Sequence, residues 1–171
     1  MNFNMLDDFN WPIDEIAKLL ADEELVNFDD LPNVTKRKQI ERRWEGTRLY
    51  KKFEWNVHGQ IPKIARKLIK PEMLSFIESS VWDNEKYRFE TKITPHYLKK
   101  LINCKTVSQW EKTGENSARR KFFGNLDVNI PVIGPVVEKA MLDQMKKNTD
   151  KGTVELRRIF EERIGPVNNQ L

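Results

Sequence analysis

Four side chains in this sequence carry chemistry that could act on a substrate: His58, Glu78, His96 and Cys104. An imidazole can move a proton near neutral pH, a thiolate can attack, and a carboxylate shielded from water can serve as acid or base. Their spacing gives them no partners. There is no Ser-His-Asp or Cys-His grouping, no glycine-rich phosphate loop, no HExxH and no CxxC. His58 stands at a strand end before Gly59, and His96 follows Pro95, so both read as polar turn residues. Cys104 falls in mid-strand, where a small buried hydrophobe is expected. Glu78 lies in MLSFIESSVWD (73–83) and shares the parity of Leu74, Phe76 and Trp82. Facing inward, it would be a buried acid able to steer a ligand or a proton. Facing outward, the plainer expectation, it is a surface charge. No catalytic residue, metal-ligand set or cofactor is assigned.

Charge is distributed unevenly. Residues 1–33 carry nine acids and one base (Lys18), whereas residues 34–70 carry twelve bases and three acids, within a chain of net charge +4. A basic segment of that size suits an anionic membrane surface or a nucleic acid; the alternative is a solvated face balanced by the acidic segment. In KRKQIERR (36–43) the bases fall on both parities of a predicted strand, and no RNP-like or zinc-finger pattern accompanies them. Nucleic acid is therefore not the expected partner.

The elements that must position these groups follow from periodicity. Phe3 to Trp11 reads as a strand ending at Pro12. PIDEIAKLLAD follows as a helix with Asp14 and Glu15 in its first turn, and EELVNFDDLP (23–32) as a second short helix or turn. From Val34 the period becomes two. Val34, Ile40 and Trp44 share one parity; Leu49, Phe53, Trp55 and Val57 line one face of the next strand. IPKIARKLIK (61–70) interrupts this pattern. Ile61, Ile64, Ala65, Leu68 and Ile69 recur at helical spacing, with Lys63, Arg66, Lys67 and Lys70 opposite, which predicts a short basic amphipathic helix.

Strand character resumes at 73–83 and continues through KYRFETKI and LINCKTVSQWEK. It ends in a strand where Ala118, Phe122, Leu126, Val128 and Ile130 alternate with Arg119, Lys121, Asn125, Asp127 and Asn129. After Pro131 the period is helical to Arg163. A stripe of Ile133, Val137, Ala140, Met141, Met145, Leu156, Ile159 and Phe160 predicts one helix of roughly 50 Å. Gly152 within it offers a kink or a close backbone approach.

This order gives an α+β fold: an antiparallel, curved sheet of about seven strands wrapped around a long C-terminal helix, with two short helices after strand 1, all in one domain spanning residues 1–171. A sheet with one dry face must cover it, and only the last helix is long enough. A long curved sheet seldom closes tightly on one helix, so an elongated apolar cavity between them is expected. Its expected walls are Phe53, Trp55, Phe76, Trp82, Phe89, Trp110 and Phe122, with Met141 and Met145 on the helix as flexible fillers; close packing without a vacancy is the alternative. One cysteine, no signal-like N-terminus and no apolar run near 20 residues point to a reduced, cytoplasmic protein.

One stretch resembles a known family. In DVNIPVIGPVVEKAMLDQM (127–145), alternating apolar residues lead into Ile130-Pro131, then Val132-Ile133-Gly134, then Glu138 one turn on. This resembles the junction of last strand and final helix in the START-like, Bet v 1-like superfamily of helix-grip proteins, and most of all its DUF2505 branch. The early helix pair, the Pro-flanked interruption and the ESSVWD strand end fit the same order. The resemblance covers nearly the whole chain in element order and about twenty residues in motif. It implies a cavity for a lipid, sterol, quinone or polyketide; some members of the superfamily are cyclases or hydroxylase subunits, others transfer lipids, and one group acts on ribosomes. It also implies that an insertion between the third and fourth strands lies near the cavity mouth. There, Ile61, Lys63, Ile64, Arg66, Lys67, Leu68 and Lys70 would form a lid that rests transiently on anionic lipid; a helix that merely caps the sheet is the alternative. The expected function is binding, and carriage, of a hydrophobic small molecule. A polyketide cyclase or dehydratase using the same cavity, and an RNA- or protein-binding module using residues 36–70, are the alternatives.

Overall fold

The computed structural model describes residues 1–21, 25, 33–59 and 61–166. Strand β1 (Asn2–Phe9) leads into helix α1 (Ile13–Ala21), where Pro12 accepts the Ile16 amide at 3.1 Å and Asp14 and Glu15 occupy the first turn. The expected second helix, 23–32, lies outside the described residues apart from Leu25. Six strands follow: β2 (Val34–Glu45), β3 (Arg48–Val57), β4 (Ser75–Asp83), β5 (Arg88–Pro95), β6 (Ile102–Gly114) and β7 (Ser117–Val128). Helix α2 (Gly134–Arg163) ends the fold. All strands join one antiparallel sheet in the order β1-β7-β6-β5-β4-β3-β2. The expected α+β helix-grip architecture is thus the one observed.

Inward parity is clear from burial. Leu49, Phe53 and Trp55 of β3 are buried, as are Ala118, Leu126 and Val128 of β7. Edge strand β2 departs from expectation. Ile40 and Trp44, expected on a dry face, are about half exposed: the Gln39/Glu41 bulge takes Ile40 out of register, whereas Trp44 pairs with inward Leu49 but lies on the edge of the sheet. Arg37 takes the inward place instead, its guanidinium 3.7 Å from the Phe53 ring centroid and 4.7 Å from that of Trp55.

The 61–70 segment is not an α-helix. It forms a 3-10 turn at Lys63–Ala65, and a second follows at Pro71–Met73. Pro71 forces Lys70 into an extended conformation, so fewer than ten residues remain between Pro62 and Lys70, too few to sustain a helix by themselves. The expected apolar stripe therefore splits: Ala65 and Ile69 are buried, while Ile64 and Leu68 face outward.

The β7–α2 junction fits its sequence closely. At Gly134 an added Cβ would lie 2.3 Å from the Val128 carbonyl oxygen, so only glycine lets the helix start this near the strand. Four residues on, Glu138 accepts the Val128 amide at 3.0 Å and pairs with the amino group of Met1 at 2.9 Å. The Met1 ammonium and then the Val128 amide hold the Glu138 carboxyl below its ordinary range. Helix α2 runs unbroken for 30 residues, about 45 Å. Gly152 meets nothing within 4 Å, so the close approach expected there does not occur.

Two separate apolar clusters hold the sheet to its helices. At one end, Phe160 of α2 meets Phe9, Trp11 and Trp110 edge-on, with centroids 5.7 to 6.4 Å apart, and Ile16 of α1 seals the group. The Trp11 indole donates to the Gly165 carbonyl at 2.9 Å. At the other end, Phe3, Leu126 and Val128 pack against Ile133, Val137 and Leu142, with Ala65 and Ile69 closing from the β3–β4 connection. The two glycines of α2 should respond oppositely in urea unfolding. Gly134→Ala should cost about 1–3 kcal/mol by forcing the helix off β7, whereas Gly152→Ala should gain up to about 1 kcal/mol.

Candidate functional site

Cross-strand register decides what lies between the two clusters. Gly124, Thr106, Thr91, Ser80 and Lys51 stand side by side on β7, β6, β5, β4 and β3. This row of mostly small side chains crosses the middle of the concave face. Taller rows flank it: Met5, Phe122, Ser108, Phe89, Trp82 and Leu49 on one side, and Leu126, Cys104, Ile93, Glu78 and Phe53 on the other. The floor is thus a transverse trough with hydroxyls along its base and largely apolar walls.

The cover is incomplete. Helix α2 runs closest to β7, and no residue between Leu142 and Thr153 on it is fully buried. On the concave side of the sheet, Met5, Phe76, Phe89, Ile93 and Phe122 all point toward the interior yet keep part of their surface exposed. Among the described residues, these inward side chains are thus not fully covered.

A charged strut crosses the interior beside this trough. Arg120, on the inward parity of β7, donates from Nε and Nη2 to Asp7 Oδ2 at 3.1 and 2.6 Å, and from Nη2 to Thr153 Oγ1 of α2 at 2.6 Å. Arginine and aspartate side chains are only 10% and 14% exposed. The Thr153 hydroxyl in turn donates a hydrogen bond to the Thr149 carbonyl at 2.9 Å. The strut ties β1, β7 and the helix together where the apolar clusters leave off.

The chemically able residues are now placed. Cys104 is buried on the concave face and its thiol is pushed up to about 11 by burial, so it is a packing residue and no thiolate nucleophile. His58 bonds Thr35 at 3.0 Å and His96 lies 3.2 Å from Glu54; both are exposed at one end of the sheet. Glu78, expected on the surface, faces inward, because its partners Phe53 and Ile93 do. Among the described residues no His, Cys, Asp and Glu group could hold a metal ion. The convex face has an open groove of about 560 Å³. Some of its charges pair with one another, Arg88 with Glu90 at 2.7 Å and Lys52 with Glu41 at 3.5 Å.

All seven aromatics expected as cavity walls share the concave face. Trp55 stacks on Phe76 with centroids 6.1 Å apart, and Phe89 meets Trp82 at 4.8 Å. Trp82 and Trp110 sit in the sealed cluster beside α1; Phe53 and Trp55 are buried under Arg37. Phe76, Phe89, Phe122, Met141 and Met145 are partly buried; Phe89 packs on the aromatic cluster, and Phe122 and the two methionines on the aliphatic one. The bases of 36–43 divide between faces, Arg37 inward and Arg43 outward over Tyr50. Sequence reasoning missed the Arg120–Asp7 strut. Its signal was a charge on the apolar parity of the two outer strands, between Ala118 and Phe122 and between Met5 and Phe9. A buried pair predicts that Asp7→Asn or Arg120→Met alone costs about 3–5 kcal/mol in urea unfolding, and Asp7→Leu with Arg120→Met far less.

No protein of curated function matches the sequence. Several solved structures share the fold. The Zhui aromatase/cyclase from Streptomyces sp. R1128 is 11% identical with a TM-score of 0.66, over 98% of each chain. Norcoclaurine synthase from Thalictrum flavum, in complex with dopamine and hydroxybenzaldehyde, is 15% identical with a TM-score of 0.65, over 95% of this chain and 87% of the synthase. A START superfamily protein from Mycobacterium smegmatis is 13% identical with a TM-score of 0.52, over 95% of each chain. At such identities the likeness is one of fold. Over residues 5–158 the sequence itself matches a single family description, and the chain belongs to that family, the protein of unknown function DUF2505.

Proposed function

We propose that this protein binds an amphipathic, mainly hydrophobic small molecule of the lipid or isoprenoid class between the concave sheet and α2, for carriage or presentation. The observation that carries this reading is the partial exposure of Phe76, Phe89 and Phe122, inward-facing rings that neither apolar cluster buries completely. Apolar surface kept wet inside a fold costs roughly 25 cal/mol per Å², and a ligand tail recovers it. The hydroxyls of Thr91 and Ser108, with Lys51 and Glu78 nearby in the register, offer a polar head group its partners. Relatives in fold include a START superfamily protein, which fits the same use of the space. A single buried thiol suits a cytoplasmic setting, and release to a membrane would be transient.

A cyclase-type reaction is the second reading. It rests on one observation, the inward carboxylate of Glu78, and on fold relatives that include an aromatase/cyclase.

Native mass spectrometry of the purified chain, followed by solvent extraction, should recover an apolar molecule at near-stoichiometric amounts. Thr91→Trp, which fills the space, should abolish that recovery while leaving a cooperative thermal transition. An empty wild-type protein would defeat the carrier reading. Glu78→Gln separates the two readings: under carriage the extracted ligand persists and nothing turns over, whereas a cyclase loses its turnover with binding intact.

A further inference from the structure

Three connections meet at the end of the sheet where β3, β5 and β7 finish. They are residues 61–74, 96–101 and 129–133. Backbone bonds join them to the strands and to one another: Val57 N to Leu74 O at 2.9 Å, His96 N to Ser75 O at 3.0 Å, and Asn129 N to Leu101 O at 2.7 Å. Beneath, Ala65, Ile69, Leu98, Ile130 and Ile133 pack into one cluster, so the three connections are packed together.

Their outer side is unlike the rest of the surface. Ile64, Leu68, Tyr97 and Val132 are exposed by 53, 57, 49 and 88%. Val132 is held at φ +67°, where a β-branched side chain is strained, by a bond from Ile133 N to Pro131 O at 2.7 Å that closes a three-residue γ-turn. Glycine there would fold with less strain, and the exposed valine buries little within the fold. Around these apolar tips stand Lys63, Arg66, Lys67, Lys70, Lys99 and Lys100, all exposed. Among the described residues none of the six meets a carboxylate within ion-pair distance, and Glu72 is the one acid on the three connections.

We infer that these three connections form a docking surface for an anionic phospholipid bilayer. The apolar tips are single exposed side chains, with exposed cations next to them in 61–70 and 96–101. That pattern fits shallow insertion beneath lipid head groups, with cations at the phosphate level. A folded acidic partner would need a continuous complementary patch. The surface stands apart from the ligand reading, since a bilayer can be bound with the interior empty.

Cosedimentation of the full chain with vesicles tests it. Binding is expected to vesicles of phosphatidylcholine mixed with phosphatidylglycerol, to fall with added salt, and to be absent with phosphatidylcholine alone. Lys67→Gln should weaken it about fivefold. Val132→Gly is the decisive variant: it should unfold at the same or a higher temperature, keep any co-purified ligand, and bind the mixed vesicles several-fold less. A Val132→Gly protein that loses stability yet docks like wild type would overturn the proposal. So would equal binding to both vesicles, or binding to polyglutamate with none to lipid. Thr91→Trp should dock normally, which separates this outcome from failure of the ligand reading.

Discussion

The contact between Gly134 and the Val128 carbonyl sets the rest of the architecture. With no Cβ in the way, the first turn of α2 lies against the end of β7, and Glu138 then fixes its rotation by accepting the Val128 amide. A helix about 45 Å long that starts on one side of a seven-stranded sheet cannot cover all of it. It runs along β7, with β1 and β6 beside it, and leaves the concave side of β3 to β5 only partly roofed. The partial exposure of the inward side chains of β5 follows from where the helix is pinned, more than from any single residue there.

The interior is divided by chemistry as well as by shape. Aromatic rings close the α1 end and aliphatic side chains close the other. Between them stand the Arg120–Asp7–Thr153 strut and the row of Thr106, Thr91 and Ser80. Buried ion pairs return little net stability against apolar replacements, yet this one locates α2 over β1 and β7 through directional bonds that apolar packing lacks. The concave face thus combines largely apolar flanks with a row of hydroxyls across its middle.

How much was legible from the residues differs between elements. The alternation in 117–130, the switch of period at Pro131 and the Gly134–Glu138 spacing were all readable, because each is a local pattern with a local physical cause. The 61–70 segment misled, since apolar spacing alone carries no information about the two prolines' cost to helix length. Glu78 and the β2 face misled for another reason. Which parity of a strand points inward depends on its neighbours, and two bulges in β2 reset that parity midway.

The order of elements, the dry faces of the inner strands and the glycine at the helix start belong to the sequence by itself, as period, breaker and steric size act over a few residues. The transverse trough, the charged strut and the gathering of three distant connections into one basic, apolar-tipped end belong to the tertiary structure. Each joins residues far apart in the chain, and only strand register and the seat of α2 bring them within reach of one another.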